Sequence, residues 1–204
     1  MAYKRLALDD VLLYFPTTTR SLVAQLFTSH TFDFSITSPR QTRLGTFRAA
    51  YQGNLPKISV NGDLKPHYFL FVFLHELAHF KIHESQKKQL KPHGKEWKNI
   101  YYALSKPFLH TDYVPENLII EIEKFFRSRE ATFNNYPDLL NALSQIDGSP
   151  TIYTLRDLPE NNRFSLSNGM RFIKLQQQRT RCKCLCLNNN KHYLVSLSAQ
   201  INLE

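Results

Sequence analysis

His75, Glu76 and His79 lie within five residues, the two histidines four positions apart. On a helix, such positions share one face about 6 Å apart along the axis, so both imidazoles reach one cation with Glu76 beside its open position. Zinc takes neutral imidazole nitrogens at about 2.0–2.1 Å, and a catalytic site keeps three protein ligands plus a water whose pKa falls to about 7. Glu76 would take a proton from that water and pass it to a leaving amine. This is the arrangement expected of a zinc-dependent hydrolase.

A third ligand is needed. His83 continues the stripe, but eight residues of unbroken helix carry it about 12 Å from His75, too far to share one ion. No glycine turns the chain between His79 and Gly94, so His83 reads as a solvated or supporting residue. His93 fits better, because Pro92 and Gly94 mark a turn that returns the chain before a second helix begins at Lys95. Glu96 and Glu121 are weaker alternatives on ligand type alone. One phenol of Tyr101 or Tyr102, a turn after Trp97, could donate to an oxyanion, although packing is the commoner use of such a side chain.

The pair of motifs His75-Glu76-Leu77-Ala78-His79 and Pro92-His93-Gly94-Lys95-Glu96-Trp97-Lys98, preceded by Arg43-Leu44-Gly45-Thr46-Phe47-Arg48 and Ile58-Ser59-Val60-Asn61, resembles the SprT-like metalloproteases. The resemblance covers about residues 9–110. It implies a zincin-like fold, one Zn2+ held by His75, His79 and His93, and Glu76 as general base. It also implies a peptidase, acting in some members on proteins bound to DNA. The chain departs from many members in lacking a C-terminal zinc ribbon of Cys-x-x-Cys pairs.

Several elements must position these residues. The apolar run from Tyr68 to Leu74, free of glycine and proline, makes the metal helix a buried one, introduced by Lys65-Pro66. Upstream, residues 8–14 and 18–27 read as short amphipathic helices, and 32–36, 44–50 and 57–60 as strands rich in β-branched and aromatic residues. The strand at 44–50 could hold substrate backbone by strand addition. Downstream, the helix opened at Lys95 ends near Ser105, where Pro107 stops it. Pro115 opens another helix, and a short one is expected near 138–145. The expected class is α+β: a catalytic domain over residues 1–148, then a basic β subdomain over 149–204.

That subdomain reads as an antiparallel meander or small barrel with strands at 164–167, 170–176, 181–187 and 191–198. Cys182, Cys184 and Cys186 alternate, so period two sets them in a row about 6.6 Å apart on one face. Such a row suits small core side chains in a reducing compartment better than a second zinc completed by a partner such as His192.

The net charge is +9, from 26 basic and 17 acidic side chains. From Thr151 onward, eight basic residues face three acidic ones, so the last quarter holds over half of the excess. Arg171, Lys174, Arg179, Arg181 and Lys183 are therefore candidates for a phosphate-binding face, with DNA as the expected partner beside a protein or peptide substrate. No leader-like or membrane-length apolar run appears, so a soluble, cytoplasmic protein without a membrane partner is expected.

Overall fold

The computed structural model describes residues 7–40, 43–85, 91–128, 133, 136–148 and 153–204. They form a mixed α+β protein with six α-helices and two small sheets. The chain divides into two compact units, Met1–Phe126 and Arg127–Glu204. The division falls earlier than the sequence-based boundary at 148, and Ser149 and Pro150 lie outside the described residues.

The first unit is organised around one helix. After α1 (Leu8–Leu12) and α2 (Arg20–Thr28), strands β1 (Asp33–Thr37), β2 (Gly45–Arg48) and β3 (Lys57–Asn61) make a sheet in the order β1-β3-β2. β1 runs parallel to β3, while β2 and β3 form a hairpin, leaving β2 as an edge strand. The hairpin turns at Gln52 and Gly53, both at positive φ, as its tight connection requires. α1 is shorter than the sequence suggested, ending at Leu12 before Pro16 fixes the next turn.

Helix α3 (Pro66–Glu84) opens on proline, whose missing N–H costs nothing in a first turn. Ten of its 19 residues are buried, and they lie all around the axis rather than along one stripe, as in a helix covered on every side. It packs on β2, β3 and the following helix α4 (Lys95–Ser105). Toward its start, Phe69 and Phe73 meet Phe15, Phe27, Phe32 and Phe34 in a continuous aromatic cluster, with Phe27 and Phe73 stacked at 5.1 Å. Phe73 is fully buried there, so Phe73→Ala would cost about 3–5 kcal/mol. The cluster anchors the helix one turn before its histidines. α4 ends at a 3-10 turn, Lys106–Phe108, containing Pro107, and α5 (Glu116–Arg127) follows.

The second unit contains α6 (Pro137–Ile146) and a six-stranded antiparallel sheet. Its strands are β4 (Tyr153–Thr154), β5 (Arg163–Ser165), β6 (Arg171–Gln177), β7 (Arg181–Cys186), β8 (His192–Ser196) and β9 (Gln200–Leu203). The order is β4-β9-β5-β6-β7-β8, so the expected four-strand meander β5 to β8 is flanked by two short strands that the sequence did not reveal. β4 is too short to show a period. β9 is recognisable only through its pairing with β4 and β5.

Inside this sheet, Leu155, Phe164, Phe172, Cys182, Cys184, Cys186, Leu197 and Ile201 make one core. The three cysteines are free and buried along one face of β7. No helix among the described residues is long and apolar enough to cross a membrane.

Candidate metal centre

His75 and His79 project from one face of α3, one turn apart, toward α4. His93 arrives from the connecting segment through the turn Lys91-Pro92-His93-Gly94, closed by a 2.9 Å bond from the Gly94 N–H to the Lys91 carbonyl. Proline takes the second place of this turn and His93 the third, at φ 61°, where glycine is the usual occupant. A histidine held in the left-handed region costs about 1 kcal/mol relative to relaxed backbone. That strain aims its ring at the helix.

The three Nε2 atoms converge. They stand 3.3 Å (His75 to His79), 3.0 Å (His79 to His93) and 3.2 Å (His75 to His93) apart. Nitrogens bound to one tetrahedral ion at about 2.05 Å would be about 3.3 Å apart. Three neutral imidazoles cannot all satisfy each other at such separations, because each ring has one N–H to give. A cation held by the three Nε2 atoms would satisfy all of them at once. His75, His79 and His93 are thus a group that could hold a metal ion.

The electrostatics agree with the geometry. Burial, then repulsion from His79 and His93, holds His75 well below its ordinary pKa. Burial first and His93 second bring His79 to about 4, and burial lowers His93 as well. All three rings are therefore neutral near pH 7, the form that ligates. Trp97 forms the floor, its ring centroid 4.6, 5.2 and 4.7 Å from those of His75, His79 and His93. It is fully buried, so it excludes water from that side of the rings.

Glu76 sits on the flank of α3 that meets β2, with only 7% of its surface exposed. Burial raises its pKa to about 7, opposed by a hydrogen bond with the Phe47 backbone and by the charge of Arg40. The strand approaches so closely that a Cβ on Gly45 would lie 2.7 Å from both Cγ and Oε1 of Glu76. Gly45 is therefore a site residue in its own right: it lets the edge strand and the carboxylate share one space. Nothing in the sequence around Gly45 distinguishes this from an ordinary strand glycine. Arg40 donates to the Asn61 side chain at 2.9 Å, which fixes it on the opposite face of the sheet.

Other candidates are placed elsewhere. Tyr101 donates to the Phe71 carbonyl at 2.9 Å, and Tyr102 donates to Glu123 at 2.8 Å, so both phenols are engaged within the fold. Glu121 pairs with Lys124, and Glu96 lies in the first turn of α4 outside the converging group. His83 packs its ring on Phe47, 5.7 Å away.

In the second unit, Arg179, Arg181 and Lys183 are exposed. Arg171 is exposed but gripped by Glu204, with Nη2 2.8 Å from Oε2 and Nε 2.9 Å from Oε1. Lys174 corrects the sequence expectation of a solvent-facing cation. It is 2% exposed, and its Nζ donates to the carbonyls of Leu155 and Leu158 at 2.8 and 2.6 Å. The register explains this, since Lys174 pairs with Cys184 and so shares the cysteines' inward face.

Compared with protein-family models, curated proteins and solved structures, the chain matches none.

Proposed function

We propose that this chain is a zinc metallopeptidase of the SprT-like kind, with His75, His79 and His93 as ligands and Glu76 as general base. The observation that carries the reading is the convergence of three Nε2 atoms at 3.0–3.3 Å, with a buried carboxylate on the same helix. A divalent ion held by this triad supplies Lewis-acid polarisation of a carbonyl and acidifies the attacking water.

The chain's own residues do the rest. Glu76, near pKa 7, is suited to accept a proton at Oε1 or Oε2 and return it to a leaving amine at neutral pH. The Phe47 backbone and Gly45 hold that carboxylate against β2. β2, open on one side, supplies backbone groups that align an extended peptide, which gives cleavage with little side-chain selectivity. Arg179, Arg181 and Lys183, exposed in the second unit, have no part in this chemistry.

The test is cleavage of an unfolded protein by the zinc-loaded chain, with Glu76→Gln as the blank. Turnover should fall by about 10²–10⁴-fold in the variant while one zinc per chain is retained. Turnover that survives with zinc bound contradicts the assignment of Glu76. Stoichiometric zinc without any cleavage by the unmodified chain favours a regulatory scaffold instead.

A further inference from the structure

β8 lies at one edge of the six-stranded sheet and, among the described residues, pairs only with β7. Its sequence, His192-Tyr193-Leu194-Val195-Ser196, contains no lysine, acid or proline, and the sheet's bulge lies elsewhere, between β6 and β7. Proteins ordinarily blunt their strand edges with such features. The opposite edge, β4, is blunted by being two residues long. β8 has five residues, four of them exposed, with Leu194 53% exposed.

The ladder shows which backbone groups are unpaired. Leu197 donates to the Thr180 carbonyl, and Cys186 donates to that of Lys191. Bonded pairs alternate along an antiparallel ladder, so Cys182 with Val195 and Cys184 with Tyr193 are the bonded pairs between. His192 and Leu194 consequently turn their N–H and C=O groups away from the sheet, as does Ser196 its N–H, whereas the Ser196 C=O accepts from the Ala199 N–H at 3.1 Å. Their side chains share the outer face with Leu185, Lys183 and Arg181, their partners on β7.

The charge around this edge has one sign. Arg179, Arg181, Lys183 and Lys191 are exposed, and no acidic residue occurs between Gln178 and Leu203. Ser196 is small, so Arg181 beside it can reach across β8, and Lys183 can reach over Leu194. A second copy of this chain would bring the same cations against themselves. Nucleic acid would find little stacking surface on the outer face, because Phe164, Phe172 and Tyr193 are paired in the inward register with Cys184 and Cys186 and β7 and β8 set His192 as their one ring outward.

We propose that the β8 edge is a docking site for an extended, acidic segment of a partner protein, which adds as a seventh strand. Backbone bonds to His192, Leu194 and Ser196 hold it, Leu194 packs against an apolar residue, and Arg181 and Lys183 select acidic ones. The inference does not depend on the metal centre.

The test uses the full chain carrying Glu76→Gln, so that probes remain intact. Labelled peptides of about nine residues, alternating Glu/Val and alternating Lys/Val, are titrated beside single-stranded oligothymidine. The Glu/Val peptide should bind, the Lys/Val peptide should not, and Leu194→Pro should weaken binding by at least about tenfold, since it removes only an outward N–H. Should Leu194→Pro fail to fold, the pair Arg181→Glu and Lys183→Glu should give the same loss and admit the Lys/Val peptide.

In amide exchange, Tyr193 and Val195 should be slow in the free protein, whereas His192, Leu194 and Ser196 should become slow only with peptide. Protection of those three in the free protein would overturn the proposal, as would binding of neither peptide. Oligothymidine that displaces the Glu/Val peptide and is indifferent to Leu194→Pro would assign the cations to nucleic acid. Concentration-dependent dimerisation that Leu194→Pro abolishes would assign the edge to a second copy.

Discussion

Two rows of potential metal ligands run along regular elements of this protein, and only one of them belongs to a group that could hold a metal ion. His75 and His79 repeat at the helical period on α3, and Cys182, Cys184 and Cys186 repeat at the strand period on β7. The helical pair is one turn apart and is completed by His93 from a separate turn, so three donor atoms meet within 3.3 Å. The cysteines stay in a row among Phe164, Phe172 and Leu197. Burial, then the neighbouring Cys182, pushes the Cys184 thiol up to about 12, which keeps it protonated and unreactive. Regular spacing alone does not create a metal site. Convergence is also needed, and here it comes from a second segment whose backbone is bent to deliver the last donor.

The sharpest break of this comparison removes one donor from each row. His79→Ala should lower zinc affinity by well over about 100-fold, beyond the usual effect of losing a supporting residue. Cys184→Ser should leave zinc stoichiometry unchanged and cost about 1–3 kcal/mol in denaturant melts, because a hydroxyl replaces a buried thiol. A loss of zinc in the cysteine variant would reverse the assignment.

Gly45→Ala tests the space shared by β2 and Glu76. With a Cβ 2.7 Å from Oε1, the carboxylate must shift, and turnover should fall by about 10²-fold with zinc retained. Unchanged turnover would show that the approach of β2 to Glu76 is incidental.

The pH dependence of the metal-free protein sharpens the electrostatic side. His75, His79 and His93 have folded pKa values below the ordinary 6.5, so the unfolded chain binds more protons and stability rises with pH from about 4 to 6.5. Glu76, raised from 4.5 to about 7, opposes this: the unfolded chain releases its proton first, so stability falls between those values. The histidines prevail below pH 6.5, and Glu76→Gln should steepen the rise. It should also stabilise the metal-free protein at pH 8, where the ionised carboxylate is buried, by about 1–3 kcal/mol in denaturant unfolding. Equal stability of the two proteins at pH 8 would remove the burial argument for Glu76.

The smallest expected effect is at the turn. His93→Gly should raise the stability of the metal-free protein by about 1 kcal/mol in thermal melts, through release of the left-handed strain. It should abolish zinc retention in the same sample.

Much of the site was legible before the fold was known. The four-residue spacing of His75 and His79 needs only a helix, and the apolar run before it guarantees a buried one. His93 was readable because Pro92 and Gly94 punctuate a turn, although neither shows that the histidine itself takes the positive φ. Gly45 and the Phe47 backbone were not readable, since a close approach between strand and helix leaves no mark on either. Basic residues on strands usually face water, and Lys174 departs from that pattern. Its inward position depends on the register with Cys184, and its charge is accommodated by the carbonyls of residues 155 and 158, which no local pattern announces. β4 and β9 leave no local pattern for the same reason, their pairing being made across long sequence separations.

The most direct measurement is a zinc titration of the full, reduced chain with X-ray absorption at the zinc edge. The account predicts one ion per chain with three nitrogen neighbours at about 2.0–2.1 Å and no sulfur. No tight binding, or a first shell containing sulfur, would contradict it.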